Sequence, residues 1–341
     1  MNLNLANIEA LKQLLEQPKK IVILSHTNPD GDAIGSSLAM AAVLRQQGHT
    51  VNCILPNKFP YYLKWMPCTD ELIIHSQDKL GIAQSVIAAA DVVICADMSS
   101  LSRLEALTEI IAANTTAKRI LIDHHLSPSD EFDLIFSFPE SSSTAYLVYE
   151  ILKAAYGTEV FNQTIATLLY VGMITDTGNF AFSTINAELF RAAADLLETG
   201  IDVPTIYNNV YNSFTEGRAR LFGYVINRKM KTLLKGTVAY LSLTEEEMRR
   251  FWFQQGDSEG FVNYPLTVKK MRMSAIFIEH KDFIRVSLRS RGAVDVNLFA
   301  GRYFEGGGHH NAAGGKSFVS MEETIARFES AVEEFAKEGL L

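Results

Sequence analysis

The sequence is poor in cysteine. Its 341 residues include only three, Cys53, Cys68 and Cys95, which are scattered and show no CxxC spacing. An odd, dispersed set of this kind is typical neither of a disulfide framework nor of a zinc site. We therefore expect the three side chains to be small apolar fillers in a reducing, cytoplasmic compartment.

Long apolar runs and an excess of positive charge are also missing. No run reaches the roughly 18 residues that a membrane-spanning helix needs. Residues 1–20 resemble an amphipathic helix and lack the basic start and apolar core of an export signal. The formal net charge is −8, whereas proteins that hold long nucleic acid usually carry a basic footprint. We therefore expect neither a membrane nor a long duplex among the partners.

Strands and helices alternate along the first half of the chain. Apolar runs such as "KKIVILSH", "TVNCILP", "DVVICAD" and "KRILIDHH" are separated or followed by helical patterns. This order predicts an α/β fold whose N-terminal domain, 1–185, has a mainly parallel sheet flanked by helices. Residues 186–232 are expected to form a helical linker. A change to new strand and helix patterns predicts a smaller C-terminal α/β domain over 233–341.

Acidic and histidine side chains recur where the predicted strands end. Ligands of parallel sheets gather at this edge. Carboxylates brought together there would repel one another, and two divalent cations would remove that cost. Mixed carboxylate and imidazole ligands suit manganese, with magnesium or cobalt as alternatives, and a two-metal site suits phosphoryl transfer. The six candidate metal ligands are His26, Asp30, Asp32, Asp97, His124 and Asp176.

A simpler alternative exists for part of this set. Asp30 and Asp32 both precede a helix, where an aspartate often serves only as the N-cap. In the tripeptide "DHH", one of the imidazoles of His124 and His125 can bind metal, while the other can meet phosphate or protonate a leaving oxygen. Asp123 can orient a neighbouring imidazole. The repetition at three strand ends favours the metal site.

The glycine-rich stretch "GGGHHNAAGG" over 306–315 suggests a second kind of site. Its glycines would let backbone N–H groups approach an anion, as in a nest, and His309 adds a donor. The preceding "VSLRSR" offers Arg289, Ser290 and Arg291, and arginine suits phosphate. Arg289 and Arg291 share one face of a strand, so alternation does not choose between them.

These motifs, in their order and spacing, resemble the DHH/DHHA1 phosphoesterase superfamily over nearly the whole chain. "HTNPDGDAIGS", "ICADMSS", "DHH" and "GMITDTGNF" are similar to its four DHH motifs, and "RVSLRS…VDVN…GGGHHNAAGG" to its DHH-associated domain. The size and two-lobe layout are most similar to the NrnA-type oligoribonuclease (nanoRNase) and pAp phosphatase branch. One departure is His310, since relatives often carry proline or another residue after the motif histidine.

The resemblance implies a role for each matching residue. His26, Asp30 and Asp176 would bind one manganese, Asp32 and His124 the second, and Asp97 would bridge both. Asp123 would orient His124, and His125 would contact the scissile phosphate and assist protonation of the leaving group. The residues implied to hold the terminal nucleotide are Arg289, Ser290, Gly307, Gly308 and His309.

The expected function is hydrolysis of short oligoribonucleotides to mononucleotides, and of 3′-phosphoadenosine 5′-phosphate (pAp) to AMP, by a hydroxide that two metal ions activate. Three alternatives stay open. They are a phosphodiesterase of cyclic-dinucleotide pathways acting on pGpG, pApA or cyclic forms, a polyphosphate hydrolase, and a non-catalytic nucleotide-binding regulator. The expected partners are short RNA and pAp, with a homodimer as one assembly to test.

Overall fold

The computed structural model describes residues 3–182 and 185–341. The chain divides into two compact units, Met1–Ser213 and Phe214–Leu341. This division falls inside the segment 186–232, which the sequence predicted as a linker, and part of that segment belongs to each unit. The predicted functional boundaries at 185 and 233 stay a prediction.

The first unit is built on a six-stranded sheet in which every neighbouring pair is parallel. The strand order is β3-β2-β1-β4-β5-β6. The strands that follow β1 are therefore added first on one side of it, as β2 and β3, and then on its other side, as β4 to β6. The direction of strand addition reverses between β1 and β4, and ligands of such sheets bind at the carboxyl ends of the strands at this switch point. The strands are β1 (Lys20–Leu24), β2 (Thr50–Leu55), β3 (Ile73–Ile74), β4 (Val92–Ala96), β5 (Lys118–Asp123) and β6 (Leu134–Ser137).

Helices cover both faces of this sheet. Alternating strand residues bury opposite faces, so Ile21 and Ile23 pack on one side while Val22 and Leu24 pack on the other. This two-sided burial explains the continuous apolar runs in the sequence. The helices are α1 (Leu5–Leu14), α2 (Gly31–Gln46), α3 (Ile82–Ala88), α4 (Leu107–Ala113), α5 (Thr144–Tyr156), α6 (Gln163–Asp176), α7 (Ala187–Glu198) and α8 (Val203–Tyr207).

Glycines bring α2 and α6 unusually close together. A Cβ atom on Gly35 would collide with the carbonyl oxygen of Leu168. A Cβ atom on Gly172 would collide with the Ala145 side chain and lie 2.9 Å from Asp32 Oδ1. Because only glycine fits at these contacts, the sequence allows the helix that carries Asp32 to pack directly on α6.

The second unit contains a mixed six-stranded sheet of order β11-β12-β10-β9-β8-β7. Only β8 and β9 pair in parallel among its described strands. This sheet and the parallel one together confirm the predicted two-domain α/β fold. The strands are β7 (Lys231–Leu233), β8 (Val238–Leu243), β9 (Met273–Glu279), β10 (Ile284–Ser290), β11 (Gly307–His309) and β12 (Ala312–Ser317).

Aromatic side chains fill the core of the second unit. Phe277 on β9 contacts Phe304 and Phe328, and Phe299 contacts Phe335. The edge-to-face ring pairs in this cluster add to the free energy gained by burial. The helices of the unit are α9 (Glu216–Tyr224), α10 (Glu245–Arg250), α11 (Val296–Tyr303) and α12 (Met321–Lys337).

Two expectations from composition can be compared with this fold. Cys53 and Cys95 are buried in the two cores of the first unit, and Cys68 is half-buried; all three are free thiols. Within 3–182 and 185–341, no helix is both long and apolar enough to cross a membrane.

Candidate metal centre

The six predicted metal ligands come together at the carboxyl edge of the parallel sheet. His26 follows β1, Asp97 follows β4 directly, and His124 follows β5. Asp30 and Asp32 lie at the start of α2, and Asp176 is the last residue of α6. All six side chains therefore come from the ends of β1, β4 and β5 or from the tightly packed helices α2 and α6.

Asp97 lies at the centre of this cluster. Its carboxylate oxygens are 3.4 Å from His26 Nε2, 3.6 Å from His124 Nε2 and 3.8 Å from His125 Nδ1. Its backbone adopts a left-handed conformation with φ of 63°, and its N–H donates to the Ile122 carbonyl oxygen at 2.9 Å. The strand thus turns sharply here, and the turn directs the carboxylate among three imidazoles.

Asp97 belongs to three groups of candidate ligands among the described residues, and two of them consist only of predicted metal ligands. His26, Asp30 and Asp97 each offer one ligand atom within 4.8 Å of the others, and so do Asp32, Asp97 and His124. The bridging role that the resemblance implied for Asp97 stays a prediction. Asp176 Oδ2 lies 3.3 Å from His124 Nε2, so the structure places Asp176 beside the second group, whereas the resemblance assigned it to the first ion.

Asp30 is the N-cap of α2 and also lies among the candidate ligands. Its Oδ1 accepts hydrogen bonds of 3.0 Å from the N–H groups of Asp32 and Ala33, so it is the N-cap of α2. It also belongs to the group with His26 and Asp97. Asp32, by contrast, lies inside α2, and the alternative of a simple cap does not apply to it.

The Asp32 carboxylate is buried and receives two backbone donors. The N–H groups of Thr144 and Ala145, at the start of α5, donate to it at 2.7 and 2.8 Å. Burial and the nearby carboxylates of Asp97 and Asp176 nevertheless hold the pKa of Asp32 well above its usual range. The backbone donors orient this carboxylate, and the Ala145 hydrogen bond lowers its pKa without offsetting the effect of burial and the neighbouring carboxylates.

Asp176 shows the same shortage of positive charge, whereas Asp97 does not. Burial, together with Asp30 and Asp97, raises the pKa of Asp176 to about 6, against the opposing effect of His124. Burial also disfavours ionised Asp97, but the His26 hydrogen bond and the charges of His125 and His124 lower its pKa. A buried set of carboxylates and imidazoles that cannot all carry their usual charges fits divalent cations.

Asp123 and His125 form a hydrogen-bonded pair beside this cluster. Asp123 Oδ1 lies 2.7 Å from His125 Nδ1, and the aspartate is fully buried. Burial lowers the pKa of His125, but Asp123 and Asp97 outweigh it and raise the pKa to about 9. The resemblance had assigned Asp123 to His124; the observed hydrogen bond is to His125, while His124 Nδ1 lies 3.2 Å from the Ser141 carbonyl oxygen.

Sequence reasoning missed two residues that support the cluster. The Thr144 hydroxyl donates to Asp97 Oδ1 at 2.9 Å, and the Ser141 carbonyl contacts His124. Both belong to the run "SSST" over 141–144, which is almost completely buried. The signal in the sequence was four small hydroxyl residues directly before an apolar helix, a pattern typical of an N-cap.

The second unit places two predicted substrate residues on one face of its sheet. Arg289 on β10 and His309 on β11 both pair with Ala312 on the strand between them. Directly opposed residues of antiparallel strands point to the same face, so these two side chains flank Ala312. Arg291 lies beyond the end of β10 and is exposed, which separates the two arginines that alternation did not distinguish.

The glycine-rich stretch forms a hairpin, and the anion-binding nest expected there stays a prediction. Gly306 leads into the edge strand β11, which contains Gly307 and Gly308, and β12 follows after a short turn. The N–H of Gly308 donates to Asn297 Oδ1 at 2.8 Å. A Cβ atom on Gly308 would lie 2.5 Å from the Ala312 carbonyl oxygen. Close strand pairing therefore explains these glycines, and Gly307 lies in the same edge strand.

The remaining residues of this region hold the loop after β10. The buried Ser290 hydroxyl donates to the Val294 carbonyl at 2.6 Å and accepts from Asn311 Nδ2 at 2.8 Å. His310 Nε2 lies 3.2 Å from the Gly292 carbonyl, and its Nδ1 lies 3.4 Å from Asp295 Oδ2. Both side chains thus fix the segment between β10 and α11.

Known protein families match the two units separately. The model of the DHH family, N-terminal domain, matches 20–173, and that of the DHHA1 domain matches 235–338. An exopolyphosphatase-related protein from Bacteroides fragilis has a crystal structure that is 41% identical, with a TM-score of 0.91 and 97% of each chain covered.

Several relatives of similar sequence carry functional names, and two of them illustrate the range. The bifunctional oligoribonuclease and PAP phosphatase NrnA of Thermus thermophilus is 28% identical over 94% of this chain and 92% of its own length. The cyclic-di-AMP phosphodiesterase GdpP of Bacillus subtilis is 27% identical over 97% of this chain, which covers 50% of GdpP.

Proposed function

The chain belongs to the DHH family and carries a DHHA1 domain, and from this premise we propose that it is a metal-dependent phosphoesterase of small nucleotides. Its substrates are short oligoribonucleotides, which it hydrolyses to mononucleotides, and pAp, which it hydrolyses to AMP. The single observation that carries the proposal is the sharing of Asp97 between two groups of candidate ligands. The match to NrnA over nearly the full length of both chains supports the substrate class.

Two cations fit the donor set. His26, Asp30 and Asp97 would hold one, and Asp32, Asp97 and His124 the other, with Asp176 beside His124. Manganese suits the mixture of carboxylate and imidazole, and magnesium or cobalt are alternatives. When bound, such ions supply a Lewis acid for the phosphoryl oxygens and lower the pKa of water.

The residues of the chain supply the remaining chemistry. Because Asp123 holds His125 in its protonated form at neutral pH, His125 contacts the scissile phosphate and donates a proton to the leaving oxygen. Thr144 keeps the Asp97 carboxylate in place. In the second unit Arg289 and His309 hold the terminal nucleotide from one face of the sheet, and Ser290, Gly307 and Gly308 shape that surface.

Two other activities have specific support. GdpP is named a cyclic-di-AMP phosphodiesterase, and the similar structure from Bacteroides fragilis is described as exopolyphosphatase-related. A substrate panel with manganese separates these activities. It contains di- to decaribonucleotides, pAp, pyrophosphate, long-chain polyphosphate, and linear and cyclic dinucleotides.

We expect dinucleotides and pAp to have the highest kcat/KM in this panel. Faster turnover of cyclic dinucleotides or of polyphosphate would replace the proposal with the corresponding alternative. Tight binding of dinucleotides without cleavage would identify a non-catalytic regulator. The Asp97→Asn variant, purified in parallel, shows whether any activity comes from a contaminant.

A further inference from the structure

The loop after β4 carries an arginine that none of the motifs above includes. We propose that Arg103 binds the substrate's scissile phosphate on the side of the cluster that His26 lines. The inference rests on the proposed function, because it names a further residue that contacts the same substrate. It assigns to the first unit its own phosphate-binding cation, in addition to Arg289 of the second unit.

The backbone of Arg103 is tied to the first ligand motif. Its carbonyl oxygen accepts a hydrogen bond of 3.0 Å from the N–H of Thr27. Thr27 directly follows His26, whose Nε2 lies 3.4 Å from Asp97. Arg103 is therefore held beside the cluster by a contact to the residue next to a candidate ligand.

The rest of the loop is fixed from both sides. Leu101 and Leu104 are buried, while the Arg103 residue between them is exposed. The Leu101 N–H donates to Glu131 Oε2 at 3.3 Å, and the Ser129 N–H donates to the Ser99 carbonyl at 2.8 Å. The loop is thus anchored, and the long side chain extends from a firm base, which lowers the entropic cost of binding an anion.

The contact to Thr27 also defines which part of the cluster Arg103 borders. His26, the residue before Thr27, lies with its Nε2 3.4 Å from Asp97 Oδ2. Arg103 is therefore held on the side of the cluster that His26 lines.

A permanent cation at this position needs an explanation. Two divalent ions in the cluster would repel it, so it is unfavourable there until an anion arrives. A phosphate group removes that repulsion and offers the oxygen pair that a guanidinium binds in bidentate fashion.

Two other arginines of the unit show the contrast. Arg45 is paired with Glu71 at 2.6 Å, and Arg119 donates to the Ile111 carbonyl at 3.3 Å. Both of these have partners in the fold, away from the metal ligands, whereas Arg103 lies next to them.

The test compares Arg103→Ala and Arg103→Lys with Arg191→Ala, which removes an exposed arginine from α7. Binding of inorganic phosphate and of AMP is measured by calorimetry on protein loaded with manganese. We expect Arg103→Ala to weaken both by roughly 10- to 100-fold. Manganese affinity and the thermal midpoint stay unchanged, and Arg191→Ala behaves as wild type.

Steady-state kinetics give the second measurement. We expect kcat/KM for a dinucleotide to fall by a similar factor in Arg103→Ala, with partial recovery in Arg103→Lys. Added guanidinium ions should partly restore Arg103→Ala and leave Arg191→Ala unchanged, which a merely structural role does not predict.

Unchanged phosphate and AMP affinity in Arg103→Ala would overturn the inference, and so would a loss of manganese binding in that variant. Failure of the proposed function looks different. In that case the wild-type protein cleaves no nucleotide, while phosphate binding still depends on Arg103.

Discussion

The two units use polar side chains in opposite ways. The first buries carboxylates at the carboxyl edge of its parallel sheet, where Asp32 and Asp97 are 0% and 2% exposed. The second places Arg289 and His309 on a sheet face, half-buried, with only the small Ala312 between them. Charge burial of the first kind is costly without a compensating ion, whereas the second kind costs little.

This difference separates chemistry from recognition. In the first unit each carboxylate affects its neighbours, as the raised pKa values of Asp32 and Asp176 show. In the second unit the buried polar groups are satisfied locally, as Ser290 is by Val294 and Asn311. We therefore expect substitutions in the first unit to abolish turnover and those in the second to change mainly KM.

The largest effect should come from Asp97→Asn. The change keeps the size of the side chain but removes the charge shared by both ligand groups. Because loss of an outer partner of a metal ligand already costs about 10- to 100-fold, we expect kcat to fall by more than about 100-fold. Calorimetry with manganese should also show fewer or weaker bound ions.

The matched control is Asp70→Asn, an exposed aspartate in the same unit, which should leave both measurements unchanged. If Asp97→Asn bound two ions with normal affinity and kept near-normal turnover, substitutions in the first unit would no longer differ from those in the second in their effect on turnover.

A smaller effect, specific in its pH dependence, is expected for Asp123→Asn. In the proposed mechanism protonated His125 is the active form, so we expect activity to be lost as pH rises through its pKa, which lies at about 9 beside Asp123. Without that carboxylate the pKa falls toward the ordinary value of 6.5. The alkaline limb of the kcat profile therefore moves to lower pH, and kcat at pH 8 falls roughly 10-fold or more.

The measurement is kcat against pH at saturating manganese. The His125→Ala variant serves as the comparison, because it should have low activity and no such limb. An unmoved limb in Asp123→Asn would show that His125 is not the group that titrates.

A moderate effect of a different kind is expected in the second unit. Arg289→Ala removes a half-buried cation from the sheet face, and we expect KM to rise about 10-fold with a smaller fall in kcat. Arg291→Ala, beyond the end of β10, should change KM less than twofold. A large fall in kcat at constant KM for Arg289→Ala would place chemistry in both units.

The same contrast shows how far the sequence predicts the site. Local patterns predicted β1, β4 and β5 and placed His26, Asp97 and His124 at their ends, because buried strands leave continuous apolar runs. The donors to Asp32 were not predictable, since Thr144 and Ala145 lie more than 110 residues away along the chain. No local pattern indicates which distant N–H group will meet a carboxylate.

The second unit shows a different limit of prediction from the sequence. The strand β12, "AAGGKS", has no alternating apolar pattern and is poor in residues with high β propensity. It is a strand because β10 and β11 pair with it on either side. Tertiary pairing therefore decided the structure of the glycine-rich stretch, which its composition alone suggested was an anion-binding loop.

The smallest effect should come from His310→Ala. This variant tests whether the second unit separates residues that hold its loops from residues that bind substrate. His310 contacts Gly292 and Asp295, whereas the adjacent His309 lies on the proposed substrate face. We expect His310→Ala to change kcat/KM less than twofold and to lower the free energy of unfolding by about 1 kcal/mol at most, since the contact is exposed. His309→Ala should raise KM at an unchanged thermal midpoint. Steady-state kinetics and thermal unfolding of both variants measure these effects. If His310→Ala raised KM as much as His309→Ala, the substrate surface would extend around the turn of the hairpin.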